Sequence, residues 1–119
     1  MTTREEAIAF CRTLPFVYED YPFHDDNWTL MRHQENRKSF AILYEHEGHI
    51  WVNVKAEPVA ADLWKRTYSA VVPAYHMNKD HWISIILDGS MADEDVARLI
   101  RDSFDLTARR RKWKENADV

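Results

Sequence analysis

The sequence predicts an α+β fold, a two-layer sandwich in which a mainly antiparallel sheet packs against helices. Helical spacing of apolar residues occurs at both ends of the chain and in one internal segment, and strand-like alternation covers most of the remainder. A short turn between two consecutive strands favours antiparallel pairing. At 119 residues the chain has the usual size of one domain, so we expect a single domain over residues 1–119.

The first element is a helix near the N-terminus. Thr3 followed three residues later by Glu6 has the pattern of a capping box, and the helical spacing then continues until Pro15 ends it. Its inward positions are Ala7, Ile8, Cys11 and Leu14. Because Cys11 is the single cysteine and lies on this apolar side, we interpret it as a packing residue and not as a nucleophile.

Four strands are predicted in the first half of the chain. Residues 28–32 and 40–44 alternate, and residues 50–55 alternate again after the turn at Glu47 and Gly48, which makes a hairpin. In its second strand Ile50, Val52 and Val54 share one face and Trp51, Asn53 and Lys55 share the other. A short strand over residues 17–21 is confined to an edge by the prolines around it.

The second half of the chain predicts two further helices and a strand. Pro58 is suited to the first position of a helix that continues to about Tyr68, with Val59, Leu63 and Trp64 on its inward face. Pro73 then interrupts the chain, residues 74–80 are irregular, and residues 81–87 form a strand. Ser90 with Asp93 is a second capping signal. The last helix turns these residues inward: Val96, Leu99, Ile100, Ser103 and Phe104.

Charge is distributed unevenly along the chain. The formal net charge is −4, yet residues 98–114 hold seven basic and two acidic residues. The remainder holds nine basic and eighteen acidic residues. A polyanion would therefore be attracted to the basic C-terminal tail, residues 107–119, and repelled by much of the rest.

One stretch of uncommon residue types allows a family resemblance to be stated. Residues 72–82 read VPAYHMNKDHW and are followed by LDGS at residues 87–90. This pattern, with the hairpin of residues 40–55 and the IRDSFDL segment of residues 100–106, resembles the MmcQ/YjbR family. The family motif comprises Pro73, Tyr75, His76, Met77, Asn78, Lys79, His81, Trp82, Asp88 and Gly89.

The resemblance implies a fold and a function. It implies the frataxin/CyaY-like α+β sandwich, which agrees with the order of elements derived from periodicity. It also implies a non-enzymatic DNA-binding module, because the family is commonly described as DNA-binding. In that interpretation basic and amide side chains contact phosphates: Lys55, Lys79, Asn78, Arg109, Arg110, Arg111 and Lys112.

Residues 75–82 carry two competing interpretations. As a binding loop, Lys79 and Asn78 would contact a phosphate while Tyr75 or Trp82 stacks on a base. As a structural crossing, the aromatic residues and Met77 would pack in the core while the polar residues satisfy backbone groups. The Arg109 to Lys112 run is open to the same choice, because cations at a helix C-terminus also complement the helix dipole.

Catalytic and metal sites are not predicted. His81 and Ser84 should point to opposite faces of their strand, so they form no nucleophile–base pair. The spacing of His76 and His81 is not that of a zinc site, and His24 and His46 are surrounded by acidic residues typical of turns. We therefore expect no cofactor and no resident metal.

Two functional hypotheses follow. The first is the DNA-binding module implied by the resemblance. The second is a small interaction or regulatory domain that binds a protein partner or small ligand through residues 75–82, with weak frataxin-like metal contact at Glu5, Glu6, Glu19 and Asp20 as a remoter variant. In either case we expect a cytoplasmic monomer without a membrane segment, since no apolar run is long enough to cross a bilayer.

Overall fold

The computed structural model describes residues 1–74 and 77–108, and within these ranges the chain forms three helices and six strands. The helices are α1 (Arg4–Cys11), α2 (Pro58–Thr67) and α3 (Asp93–Thr107). The strands are β1 (Val17–Asp20), β2 (Thr29–His33), β3 (Ser39–His46), β4 (His49–Lys55), β5 (Val71–Pro73) and β6 (Trp82–Ile86). The predicted α+β class is confirmed. No helix in the described ranges is both long enough and apolar enough to cross a membrane.

All six strands form one antiparallel sheet in the order β1-β2-β3-β4-β6-β5. The predicted hairpin joins β3 and β4 through Glu47 and Gly48, both with positive φ (51° and 83°). Two consecutive positive φ values are the mark of a type I′ turn, whose twist matches that of the strands.

The register divides the sheet into two faces. Leu43 and Ile85 both pair with Val52, and these three residues lie on what we call the helix face, where they join the hydrophobic core. Ile42 and Ser84 both pair with Asn53 on the opposite side, which we call the loop face. α3 packs across β3 and β4, α1 contacts β3, and α2 contacts β5. The core therefore lies between the helices and the helix face of the sheet.

The N-terminal helix forms as predicted. The Thr3 side chain accepts a hydrogen bond from the Glu6 N–H, and the Glu6 carboxylate accepts in return from the Thr3 N–H at 3.1 Å. Ala7 and Cys11 are completely buried, so the helix turns this stripe to the core. The capping box and the packing role of Cys11 are both confirmed.

The inward face predicted for α2 is wrong for Val59 and Leu63 and right for Trp64, which packs against the core. Val59 is 85% exposed and Leu63 64% exposed, whereas Ala61 is buried. Trp64 is half-buried and stacks on Tyr68 with 5.8 Å between ring centroids. α2 contacts the β5 edge through a face that includes the small Ala61, and two of the larger apolar residues face outward.

The capping signal predicted at Ser90 is also wrong. α3 begins at Asp93 after Ala92, without a side-chain cap. Ser90 instead donates from its N–H and its hydroxyl to Asp88 Oδ1, at 2.9 and 2.6 Å. Acidic residues in the first turn of α3 complement the positive end of its dipole in place of a cap.

Strand β5 was not predicted. Pro73, interpreted from the sequence as an interruption, is the last residue of this strand and pairs with Ile83. β5 lies at the edge of the sheet, where a proline is tolerated because its missing N–H can face away from the neighbouring strand.

Candidate functional site

A pocket lies on the loop face of the sheet. Two parts of the chain outside the strands border this face: residues 21–28, between β1 and β2, and Met77, between β5 and β6. Between them is a cavity of about 390 Å³, the loop-face pocket. Its lining residues are mostly aromatic or aliphatic: Phe23, Asp25, Trp28, Leu30, Ile42, Asn53 and Met77.

Aromatic stacking fixes one wall of the pocket. Trp28 lies on the ring of Tyr44, with 4.4 Å between centroids and 23° between planes. Phe23 meets Trp28 edge to face, at 6.4 Å and 79°. Tyr44 is almost fully buried, so Trp28 stands on a rigid base while Phe23 closes the outer side.

Asn27 clamps this wall to the sheet and to α1. Its side chain donates to Glu45 O at 3.0 Å and accepts from Glu45 N–H at 2.8 Å. Arg4 donates to Asn27 Oδ1 at 3.0 Å and to its carbonyl oxygen at 2.6 Å. Asn27 thus pairs with the end of β3 as a strand residue would, and the Arg4 guanidinium holds that pairing in place.

A hydrogen-bonded polar cluster forms the floor. Asn53 is 1% exposed, and its Oδ1 accepts from Tyr44 Oη at 2.9 Å and from Ser84 Oγ at 2.5 Å. Ser84 is completely buried. Sequence analysis placed Asn53 on the face of β4 that it shares with Trp51 and Lys55; the structure buries Asn53 there, and the cluster satisfies its polar groups.

Among its described residues, the motif loop contributes Met77 to the pocket. Met77 lines it and is half-buried, whereas Lys79 and His81 are exposed and Trp82 is half-buried at the start of β6. Tyr75 and His76 lie outside the described residues. The structure therefore supports packing for Met77 and Trp82 and places a charged group, Lys79, at the surface.

Asn78 shapes the turn before β6. Its Oδ1 accepts from the Asp80 N–H at 2.9 Å, and its carbonyl accepts from His81 and Trp82 at 3.2 and 3.0 Å. These are the contacts of an Asx turn, and they use the side-chain oxygen of Asn78. A phosphate contact would use its side-chain N–H groups instead. His81 is exposed while Ser84 is buried, so the predicted separation of these two is confirmed.

The predicted phosphate-contacting residues are only partly brought together. Lys55 pairs with Trp82, so it lies at the same end of the sheet as the turn containing Lys79. Neither lysine forms an ion pair with any residue of the described ranges. Arg109, Arg110, Arg111 and Lys112 lie outside the described residues, as does the basic tail beyond Ala108.

The other end of the motif is distant from this loop. Asp88 and Gly89 follow β6 at its opposite end, where Gly89 has φ of 85°. The two bonds from Ser90 hold the pKa of the Asp88 carboxyl below its ordinary value. The Asp88–Gly89 pair therefore builds the turn before α3, and Pro73 ends β5.

Three of the four acidic residues considered for metal contact, Glu6, Glu19 and Asp20, have other partners. Arg12 donates to Glu19 at 2.6 Å, and Arg32 donates to Asp20 at 2.7 Å. Glu6 belongs to the capping box, and hydrogen bonds from Thr2 and Thr3 lower its pKa. Within residues 1–74 and 77–108, no three His, Cys, Asp or Glu side chains are grouped so that they could hold a metal ion.

Sequence reasoning missed most of the pocket. Phe23, Asn27 and Asn53 received no functional role, and Trp28 was interpreted only as a strand residue. The sequence did contain one signal, an asparagine between two valines in β4. If both faces of this strand are buried, the asparagine amide needs hydrogen-bond partners inside the protein.

Comparison with known proteins places the chain among a defined set of relatives. Residues 12–106 match the model of the YjbR family. The chain is 30% identical to the uncharacterised protein YyaQ of Bacillus subtilis, over 90% of this chain and 99% of the relative. It is 30% identical to the uncharacterised protein YjbR of Escherichia coli K12, over 86% of this chain and 84% of the relative.

Solved structures share the fold. The crystal structure of Deinococcus radiodurans protein DR2400, with the family domain DUF419, superposes with a TM-score of 0.82 at 24% identity, over 92% of this chain and 81% of that one. A crystal structure from Pseudomonas syringae gives 0.79 at 27% identity, over 89% and 99%. The frataxin/CyaY-like relationship implied by the resemblance stays a prediction.

Proposed function

The chain belongs to the YjbR family, and from that premise we propose that it is a binding protein whose ligand is a small molecule held in the loop-face pocket. The observation that carries this proposal is the cavity of about 390 Å³ between residues 21–28 and Met77. A volume of this size, with mainly apolar walls and a few polar groups, is typical of small-molecule sites.

Rigidity of the walls supports the proposal. Trp28 is stacked on Tyr44, and Asn27 is bonded to Glu45 and Arg4, so contacts within the chain hold this wall in place. A preorganised site spends less binding free energy on ordering its side chains. This proposal is the small-ligand form of the interaction-domain hypothesis, with the site moved from residues 75–82 as a whole to the pocket that Met77 borders.

A fragment screen tests the proposal. A library of small aromatic and aliphatic compounds is screened by ligand-observed NMR against the full chain, the Ile42→Phe variant, which fills the pocket, and the Leu63→Ala control. Leu63 is exposed on α2, outside the pocket. We expect a set of fragments that bind the chain and the control and lose binding to Ile42→Phe. Thermal unfolding of each variant verifies its fold. If no fragment distinguishes Ile42→Phe from Leu63→Ala, the proposal is rejected.

We also propose, as a second candidate, the non-enzymatic DNA-binding function implied by the family resemblance, in a cytoplasmic protein. The observation that favours it is the position of Lys55 and Lys79 at one end of the sheet, unpaired with any described carboxylate. Arg109 to Lys112 would add to this charge. The net charge of the described ranges opposes DNA binding, since they contain eleven Lys and Arg residues against eighteen Asp and Glu residues.

Titration with a labelled DNA duplex at 50 and 200 mM salt tests this candidate. We expect the affinity to fall steeply as the salt concentration rises. It should be lower still in the Lys55→Gln/Lys79→Gln variant, because binding releases fewer counterions when two phosphate contacts are lost. Lys65→Gln serves as the control, since Lys65 lies in the last turn of α2, which leads into β5 at the other end of the sheet. Absence of binding at micromolar protein, or equal affinity in all variants, would reject DNA binding by this surface.

A further inference from the structure

The outer part of the loop-face pocket combines two aromatic rings with a carboxylate. Phe23 and Trp28 are nearly perpendicular, at 79°, and so form two sides of a corner. Phe23 is 56% exposed, so its ring is not needed to fill the core. Asp25 lies between them in the sequence and lines the same pocket.

Asp25 is held in one orientation. Its Oδ1 accepts a hydrogen bond from the Asn27 N–H at 2.8 Å, and Asn27 is itself clamped to Glu45. Asp25 is the only ionisable side chain among the described lining residues, and none of the described Lys or Arg side chains forms an ion pair with it. The pocket therefore presents a fixed negative charge without a positive partner from the described chain.

Aromatic faces and a carboxylate attract the same kind of ligand group. A cation within about 6 Å of a ring centroid is attracted by the electron-rich face, and quaternary ammonium groups are commonly recognised by such aromatic corners. The aliphatic floor of Leu30, Ile42 and Met77 suits the alkyl groups of such a cation. An anionic ligand would instead be repelled by Asp25.

We propose that the ligand of the loop-face pocket carries an alkylated ammonium group, which the aromatic rings of Phe23 and Trp28 and the carboxylate of Asp25 recognise. This inference rests on the proposed small-molecule function and specifies the chemical class of the ligand. The excess of carboxylates over the described ranges acts in the same direction, because it raises the local concentration of cations.

The experiment compares a cation with its uncharged counterpart. Choline and 3,3-dimethylbutan-1-ol have the same shape, but only choline is charged. Each is titrated into the full chain, and the Trp28 indole N–H and the Asn53 side-chain amide are followed by two-dimensional NMR. We expect choline to bind about tenfold more tightly than the alcohol, because the aromatic rings and the carboxylate attract the cation and not its uncharged counterpart.

Two matched carboxylate variants assign the effect. Asp25→Asn keeps an oxygen that can accept from the Asn27 N–H but removes the charge, so the preference for choline should fall to about two- to threefold. Asp26→Asn removes an exposed neighbouring charge that does not line the pocket, and the preference should persist. Equal loss in both variants would overturn the assignment to Asp25.

The outcomes also distinguish failure of the ammonium inference from failure of the small-molecule function on which it rests. If the alcohol binds as well as choline, or if neither binds while fragments from the screen occupy the pocket, the ammonium inference is wrong and the small-molecule function stands. If neither probe binds and no fragment depends on Ile42, both are wrong.

Discussion

At the scale of single residues, burial decides which side chains can take part in chemistry. Cys11 is completely buried on α1, and removal from water raises the pKa of its thiol to about 12. The thiolate is the reactive form, so this cysteine should be inert in the folded chain. The interpretation of Cys11 as a packing residue thus gains a chemical consequence.

We predict that Cys11 reacts with Ellman's reagent at pH 8 at least about 100-fold more slowly than an exposed cysteine on the same helix. The comparison uses Ala9→Cys in a Cys11→Ala background, because Ala9 is exposed. Unfolding in guanidinium should restore rapid reaction of Cys11. A native rate equal to that of Ala9→Cys would show that the thiol is accessible.

His33 is a buried titratable group, 6% exposed, that packs against Phe40 and Phe104. Its Nε2 lies 2.8 Å from Thr107 Oγ1. Burial lowers the pKa of this imidazole from its ordinary value of 6.5, so the folded chain binds its proton less readily than the unfolded chain. The stabilisation from neutral His33 is therefore complete above pH 6.5 and is lost as the pH falls through the folded pKa.

We predict that the free energy of unfolding decreases as the pH is lowered from 6.5 towards 5, and that His33→Phe removes this part of the pH dependence. His33→Phe retains an aromatic ring but cannot titrate. Urea unfolding at several pH values measures the effect. The control is His24→Asn, which removes an exposed imidazole and should keep the slope. A slope that survives His33→Phe would assign it to another group.

At the scale of secondary structure elements, apolar spacing established that α2 is a helix but not which way it faces. Its only fully inward side chain is Ala61, whereas Leu99 on α3 is 2% exposed in the core. Two helical leucines, Leu63 and Leu99, thus have the same sequence signal and opposite environments.

We predict that Leu63→Ala changes the free energy of unfolding by no more than about 0.5 kcal/mol, whereas Leu99→Ala lowers it by about 2–5 kcal/mol. Only Leu99 would leave a cavity and lose buried apolar area. Urea denaturation of both variants measures the difference. Similar large losses would mean that Leu63 is buried in solution.

The segment of residues 21–28 depends on one side chain for its position. Asn27 makes three side-chain hydrogen bonds, two with the Glu45 backbone and one with Arg4. Since these bonds hold Trp28 on Tyr44, Asn27 is a positioning residue for the pocket and does not itself line it.

We predict that Asn27→Ala destabilises the chain by about 1–3 kcal/mol and weakens choline binding at least about threefold. Asn36→Ala is the matched control. The Asn36 side chain also holds a turn in place: it donates to Thr107 O on α3 and accepts from the Lys38 N–H, and it does not line the pocket. It should lose stability without losing affinity. Equal effects of both variants on affinity would deny Asn27 its positioning role. Unfolding curves and NMR titrations supply the two readouts.

At the scale of the whole molecule, charge separates the two functional candidates. The described ranges contain seven more acidic than basic residues, with Lys55 and Lys79 as a local exception at one end of the sheet. Such a field favours small cations and opposes polyanions except where the lysines lie. Both kinds of binding weaken with salt, but they respond oppositely to a change in lysine charge.

We predict that Lys55→Glu/Lys79→Glu strengthens choline binding slightly, by less than about twofold, and abolishes any binding of DNA, at 20 mM salt. At 500 mM salt the effect on choline should disappear through screening, while the uncharged alcohol binds equally at both salt concentrations. NMR titration at the two salt concentrations measures this. A loss of choline binding in the variant would contradict the pocket assignment.

Much of the architecture could be predicted because its determinants are local. The capping box at Thr3, the turn at Glu47 and Gly48, and Pro58 at the first position of α2 each act through neighbouring residues, and each was found where expected. Periodicity likewise identified both faces of β4. Ser90 does not cap α3 because its hydroxyl donates to Asp88 instead. Pro73 does not interrupt a strand because β5 lies at the edge of the sheet, where a proline is tolerated.

The sequence by itself determined the α+β class, the hairpin and the family, because these follow from spacing, turn residues and a run of uncommon residue types. Only the tertiary structure determined the pocket. Phe23, Asn53 and Met77 come from two loops and a central strand, and nothing in their spacing requires them to meet. They meet because the segment between β1 and β2 and Met77, which are far apart in the sequence, both lie against the central strands, and pairing over long sequence separations leaves no periodic trace in the chain.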